Sequence, residues 1–356
     1  MGTTTLLTLQ ARLQSAMGDD RGVYTDKYLD AINSAIRQIY PNLARKVDNT
    51  ELITGNILPP FNWTSTTALQ FYTSPSGTLT KTTTAGKTRN GETSAYVLAS
   101  GADDGIVLDS NSYPRLLDLM DKQITLKCWA YPQTADDAFL DIITTDNAGT
   151  DTTKSSTTAC PAGAFTLLEI EDYEIPDDIV RIRIKLRVHT TAKYVYFDLP
   201  RLTGRDIREY LLPYDFQNGN VRQVYIQSTS YSDDACDDLH PLFYEQPEWA
   251  VVTDGVYKYL KLPPLSGERR IGLIGDCPLE TLSSGTDPIS LDGEKIDLLI
   301  AYAAYLLYEM KMGTVSALDV SRYERLTAYW FAKYQRLLSQ HAQGIPPSTF
   351  KIGYDD

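Results

Sequence analysis

Nucleophiles, general bases and metal ligands are the residues that could do chemistry, and this sequence offers them singly. His189, His240 and His341 stand far apart, with no H-E-x-x-H pair and no G-x-S-x-G serine. Walker and Rossmann glycine patterns are absent as well. Cys128, Cys160, Cys236 and Cys277 form no C-x-x-C pair, so zinc-ligand spacing is missing. They read as reduced, partly buried thiols, and one disulfide such as Cys128–Cys160 stays open. Among 46 acids some pair always meets glycosidase spacing, and nothing singles one out. The expectation is a protein that binds and does not catalyse, with no cofactor and no metal.

Four groupings could bind instead. Asp233, Asp234, Asp237 and Asp238 crowd one segment, which lacks the glycine and distal Glu of an EF-hand loop. They read as a solvated acidic loop, or as the lining of a channel from which phosphates are repelled over roughly 8 Å. Arg181, Arg183, Lys185 and Arg187 form a basic stripe that acids on a neighbouring strand should match, with Glu169, Glu171 and Asp141 available. Trp63 and Trp129 are candidates for a sugar-stacking pair, set against the plainer role of packing at a sheet edge. Tyr302, Tyr305 and Tyr308, with Tyr323, Trp330 and Tyr334, lie at helical spacing and could form a seam between subunits.

The elements that must carry these residues follow from periodicity. Leu6, Leu9, Leu13 and Met17 share one helix face, and Tyr28, Ile32, Ala35, Ile36 and Ile39 share another, which Pro41 ends. From about Thr50 the pattern alternates. Val180, Ile182, Ile184, Leu186 and Val188 face one way and the basic stripe the other, the mark of a half-buried strand. Ile124–Tyr131 and Tyr194–Leu199 alternate likewise, and the strand count suits an antiparallel sandwich of jelly-roll type. A hairpin is predicted about Asp254-Gly255. Two long helices follow, over about 293–312 and 318–343, the first apolar nearly all round. Its apolar stretch would rise only about 20 Å against a hydrocarbon core of roughly 30 Å, so it reads as a buried soluble helix. The start of the chain shows no secretory pattern. Lys plus Arg number 33 against 46 Asp plus Glu, a net charge of −13 that disfavours direct nucleic-acid binding.

The run LDAINSAIRQIYPNL, then REYLLPYDF, TDGVYKYLKLPP and EKIDLLIAYAAYLLYEMK, resembles head-to-tail adaptor (connector) proteins of tailed bacteriophages over roughly residues 1–48 and 205–356. The stretch between, with its NWT opening, KQITLKCWAY and VRIRIKLRVHTTAKYVYFDLPRL, is similar to carbohydrate-binding-module jelly rolls. The resemblance implies an α+β, multidomain fold: a discontinuous helical-bundle core with a small β-hairpin region (1–49 and 205–344), an inserted sandwich (50–204) and an extended tail (345–356). It further implies a structural virion protein at the head–tail interface, assembled in the host cytoplasm as a ring of roughly twelve copies. Its partners would be the portal, through Ile345, Phe350, Ile352 and Tyr354, a tail or nozzle protein, and DNA passing through unbound. The alternative is a glycan-binding adhesin or tail protein in which the sandwich is the active part.

Overall fold

The computed structural model describes residues 4–19, 25–74, 76–89, 93–204, 206–229, 242–289, 291, 293–312 and 317–342. Its chain divides into two compact units, one of residues 1–46 with 276–356 and one of residues 47–275. Strand accounts for 39% and helix for 25%, so the fold is mainly β. This corrects the expected α+β architecture with a helical-bundle core: the four long helices lie in the smaller unit, and the larger core is enclosed by strands. Strong helical periodicity at both ends drew attention from the longer alternating stretch, which contributes more structure.

The larger unit is dominated by a sandwich of ten strands. In chain order they are β1 (Tyr72–Thr73), β2 (Thr78–Thr82), β3 (Ser94–Leu98), β4 (Asp104–Asp109), β5 (Gln123–Pro132), β6 (Ala138–Asp146), β7 (Asp151–Ser155), β8 (Thr166–Glu174), β9 (Ile179–Val188) and β10 (Tyr194–Thr203). One sheet has the order β7-β6-β9-β4-β1 and the other β8-β5-β10-β3-β2. All their pairings are antiparallel. Neighbours far apart in sequence, such as β9 beside β4 and β10 beside β3, give the crossing connections of a jelly roll.

Alternation decides which side chains enter the core. From one sheet come Ile182, Ile184, Leu186, Leu140, Ile142, Ile106 and Leu108, and from the other Ile124, Leu126, Cys128, Ala130, Val195, Phe197, Ala95 and Val97, all essentially buried. Burying each large aliphatic side chain is worth about 1.5–3 kcal/mol. At Gly105, opposite Arg187, an added Cβ would stand 2.1 Å from the Leu186 carbonyl oxygen, so only glycine admits this strand pair.

The same unit continues with β11 (Glu209–Leu211), β12 (Asn220–Gln227), β13 (Phe243–Glu245), β14 (Ala250–Thr253), β15 (Lys258–Lys261) and β16 (Arg270–Cys277). These form a three-stranded sheet, β11-β15-β14, and a four-stranded sheet, β13-β12-β16 with the Arg45–Ile53 strand. The β14–β15 hairpin turns at Asp254-Gly255 as predicted, with Gly255 at φ 96°. Segment 205–275 therefore clusters with the sandwich.

The smaller unit contains α1 (Leu6–Met17), α2 (Thr25–Ile39), α3 (Gly293–Met312) and α4 (Ala317–Ala342). Gly18, at φ 63°, ends α1 while its N–H and that of Asp19 return to the Ser15 and Gln14 carbonyls. Leu9, Leu13, Ile32, Ile36, Leu299, Ala303 and Leu307 pack together with no more than 1% exposure, so α3 is sealed by α1, α2 and α4. Buried Asn33 clasps Leu282, donating to its carbonyl at 2.8 Å and accepting its N–H at 3.0 Å. Among the described residues no helix is long and apolar enough to cross a membrane.

Candidate functional site

Each sheet of the sandwich turns its second face outward, and the two faces differ in kind. On the sheet centred on β9, the basic stripe meets carboxylates. Arg181 makes a forked pair with Asp109, and Arg183 reaches Asp151. Arg187 donates from Nε to Asp141 and from Nη1 to Asp103, each at 2.6 Å. Lys185 donates to the Asp103 carbonyl, and His189 Nδ1 lies 2.7 Å from the Asp103 carboxylate. A hydrogen bond with His189, and then one from Arg187, holds Asp103 below the usual carboxylate range. Burial pushes Asp109 up, but Arg181 and the Asn111 N–H outweigh it and leave Asp109 low. The stripe is thus neutralised by neighbours, as the spacing suggested. Of the three acids proposed, Asp141 takes part; Glu169 pairs instead with Lys127 on the other sheet, at 3.2 Å.

The outward face centred on β10 carries rings. Register sets Tyr196 beside Tyr96 on one side and beside Tyr131 on the other. The row continues from Tyr96 to Thr80 and from Tyr131 to Phe165. Ring centroids stand 5.2 Å apart for Tyr96–Tyr196, 5.9 Å for Tyr196–Tyr131 and 5.3 Å for Tyr131–Phe165, with Tyr194 flanking at 5.4 Å from Tyr96. All five aromatic residues are half-buried, neither sealed nor loose. Strands lie about 4.8 Å apart, so a row over β3, β10, β5 and β8 runs about 14 Å. Burial pushes the Tyr196 phenol above its ordinary value, so it stays a neutral donor and acceptor at physiological pH.

Two cations lie over rings of this face. Lys87 Nζ lies 3.5 Å from the Tyr131 ring centroid, and the Arg89 guanidinium carbon lies 4.5 Å from that of Trp129. Both belong to the segment before β3, which Ser94 anchors by donating to the Lys87 carbonyl at 2.6 Å. Arg89 N–H donates to the buried carboxylate of Asp198, also at 2.6 Å.

The residues singled out in the sequence fall elsewhere. Trp63 is 9% exposed and belongs to the sandwich core, so it cannot meet a sugar face. Trp129 does lie on the outward side of β5, but at 8% exposure it is packed with Ile53 and Leu199 and covered by Arg89. Neither is a stacking platform; the tyrosines are the less buried rings, with Lys87 lying over that of Tyr131. In the smaller unit Tyr302 stacks on Tyr334 at 4.7 Å, and Tyr308 and Trp330 are buried. Tyr308 also lies 6.1 Å from Tyr323, and Tyr305 lies 5.2 Å from Phe331. The proposed seam residues therefore chiefly join α3 to α4 within one chain, because a helix as apolar as α3 first covers itself. The outward residues are Tyr329, Phe331 and Met310. Asp233, Asp234, Asp237 and Asp238 lie outside the described residues, as do Ile345, Phe350, Ile352 and Tyr354.

No family model matches the sequence, and no curated protein does. Solved structures similar to part of the chain include the C-terminal family 22 carbohydrate binding module of Clostridium thermocellum Xyn10B, 14% identical over 42% of this chain and 95% of that one, with a TM-score of 0.36. Another is the xylan-binding domain of Paenibacillus barcinonensis Xyn10C, 14% identical over 45% and 97%, TM-score 0.34. A third is the enzymatically active domain of bacteriophage CBA120 tailspike protein 4, 17% identical over 41% and 22%, TM-score 0.29. At these TM-scores the likenesses carry no functional argument.

Proposed function

We propose that the sandwich is a glycan-binding module and that it binds without catalysis. The observation behind this reading is the unbroken row Tyr96–Tyr196–Tyr131–Phe165, set on three adjacent strands and the residue that leads into the fourth. Flat apolar rings with polar tips suit pyranose faces, which present C–H groups to a ring and hydroxyls to its rim. A row of about 14 Å favours an oligosaccharide over a single sugar. Thr80, Lys87 and the tyrosine hydroxyls supply hydrogen-bonding groups beside the rings. A glycan array on the full chain tests the reading, with Tyr131→Ala/Tyr196→Ala as the comparison. Binding by the parent and at least tenfold weaker binding by the double variant support it. Equal binding by both sinks it.

A second reading concerns the smaller unit. Its long helices leave Tyr329 59%, Met310 44% and Phe331 41% exposed, and a depression of about 280 Å³ lies among Tyr305, Met312, Thr327 and Phe331. Apolar surface of this sort favours association with another protein surface, here read as that of further copies. The finer reading, a head-to-tail adaptor whose ring meets portal and tail, rests on the resemblance of the sequence alone. The two readings are compatible, with assembly in one unit and glycan capture in the other. Native mass spectrometry of the chain and of Tyr329→Ser/Phe331→Ser tests the second: a ring lost in the variant supports it, and a monomer in both rejects it.

A further inference from the structure

Within the larger unit a second groove opens away from the tyrosine row, between the sandwich and the three-stranded sheet. It encloses about 390 Å³, within the range of small-ligand sites. The β1 side contributes Phe71, and the segment about Pro114 contributes Tyr113 and Arg115. The β14–β15 hairpin contributes Asp254, Tyr257 and Tyr259, and β11 contributes Glu209. Phe71 lies edge-on to Tyr257 at 4.9 Å and 5.3 Å from Tyr113, so three rings converge on one end of the groove.

We propose that this groove is a second carbohydrate site, which takes the terminal one or two residues of a neutral glycan. The aromatic end is fixed in place. Phe71 is held at φ 67°, a left-handed conformation that side chains other than glycine rarely adopt, and Ser112 donates to its carbonyl at 3.1 Å. Tyr257 is positioned by the turn: Asp254 Oδ1 accepts the N–H groups of Val256 at 2.8 Å and Tyr257 at 2.7 Å. An Asp-Gly turn alone would need only its glycine, whereas here the carboxylate also accepts the Tyr259 hydroxyl at 2.9 Å. Rigid rings lose little freedom on binding, which favours capture of a small ligand.

Charge selects the class of ligand. Arg115 already donates to the Glu209 carbonyl at 2.8 Å and carboxylate at 3.0 Å, while its guanidinium stacks on Tyr259 at 4.5 Å. Its positive charge is therefore spent. Both carboxylates at the wall are engaged as well, Glu209 by Arg115 and Lys261 and Asp254 by the turn amides and the Tyr259 hydroxyl, and the hydroxyls of Thr253 and Ser112 complete a polar rim without unpaired charge. Such a wall offers phosphate and uronate no free counter-ion, while the remaining carboxylate and hydroxyl lone pairs accept from sugar hydroxyls. A neutral sugar end, with an apolar face for Phe71 and Tyr257 and hydroxyls for the carboxylates, satisfies both.

The site is independent of the sheet face, and its test keeps the two apart. Titration calorimetry and saturation-transfer NMR on the full chain would use xylotriose, cellotriose, galactotriose and trigalacturonate, with adenosine as a non-sugar ring. The proteins are the parent, Tyr131→Ala/Tyr196→Ala, the same with Tyr257→Ala, and the same with Tyr257→Phe. The expected result is that a neutral trisaccharide still binds the double variant, with saturation strongest at a terminal residue. Adding Tyr257→Ala weakens this at least tenfold and Tyr257→Phe restores it, which excludes a folding defect. The proposal is overturned by no residual binding in the double variant, by residual binding indifferent to Tyr257, or by preference for trigalacturonate or adenosine. Binding untouched by the double variant but lost once Tyr257→Ala is added to it would remove the sheet-face reading and leave the groove standing.

Discussion

The two outward faces of the sandwich arise from the same alternation and end in opposite states. Behind both, every second residue enters one shared core. In front, the β9 face spends its charges on itself: Arg181 and Arg187 each find a carboxylate on an adjacent strand, and Arg183 reaches one on β7, two strands away. The β10 face holds rings whose edges touch one another and whose surfaces stay partly open. A charged face of this sort has little free energy left for a ligand, since desolvating satisfied ion pairs costs more than it returns. A row of rings keeps its apolar area in reserve. Composition alone would have ranked them the other way, because a basic stripe on an acidic protein looks like the binding surface.

The sharpest way to break this contrast is at Arg187, whose partner Asp141 is only 4% exposed. Arg187→Met strands that carboxylate in the sheet and should cost about 3–5 kcal/mol in urea denaturation, with glycan affinity of the remaining folded protein unchanged. Tyr196→Ala should do the reverse, losing about 1 kcal/mol of ring contacts while glycan affinity drops at least tenfold by calorimetry. Acid should divide the faces as well. Asp103, Asp109 and Asp151 are held below their ordinary values in the folded chain, so their contribution is complete above an unfolded value of about 3.9. It is lost as pH falls through the folded values. Melting temperature should be level from pH 7 to 5 and fall below about pH 4, while binding by the neutral tyrosines is unaltered down to pH 5. The smallest effect belongs to Arg181→Ala, a partly exposed pair worth about 1 kcal/mol or less; a loss above about 2 kcal/mol would show that the charges act as one cooperative network.

Single strands and helices were legible in the sequence, and their lateral partners were not. Nine alternating residues place Arg181–Arg187 on one face of β9, yet the acids that meet them come from β4, β6, β7 and the residue before β4. Only Asp141 among the three expected acids sits on a strand beside β9. The tyrosine row was missed for the same reason. Tyr96, Tyr131 and Tyr196 each show as outward residues of a strand, but their adjacency depends on strand order and register, which local periodicity does not encode. Tryptophan drew attention as the larger ring, and its size is what buried it: Trp63 and Trp129 fill space that tyrosine would leave open. The Asp254-Gly255 turn was readable because a turn is local, while the groove it borders needed Phe71 from far upstream. The amphipathic faces of α1 and α2 were right in detail, but they were given too large a share of the molecule.

The division of the smaller unit between residues 1–46 and 276–356 has a consequence for biosynthesis. A ribosome releases α1 and α2 long before α3, so their apolar stripes have no permanent cover until late in translation. The strands between are complete earlier and can collapse first. By drawing the flanking segments toward one another, that collapse shortens the chain closure needed to join them. The order of emergence would thus make the sheet-rich portion a folding scaffold for the helices.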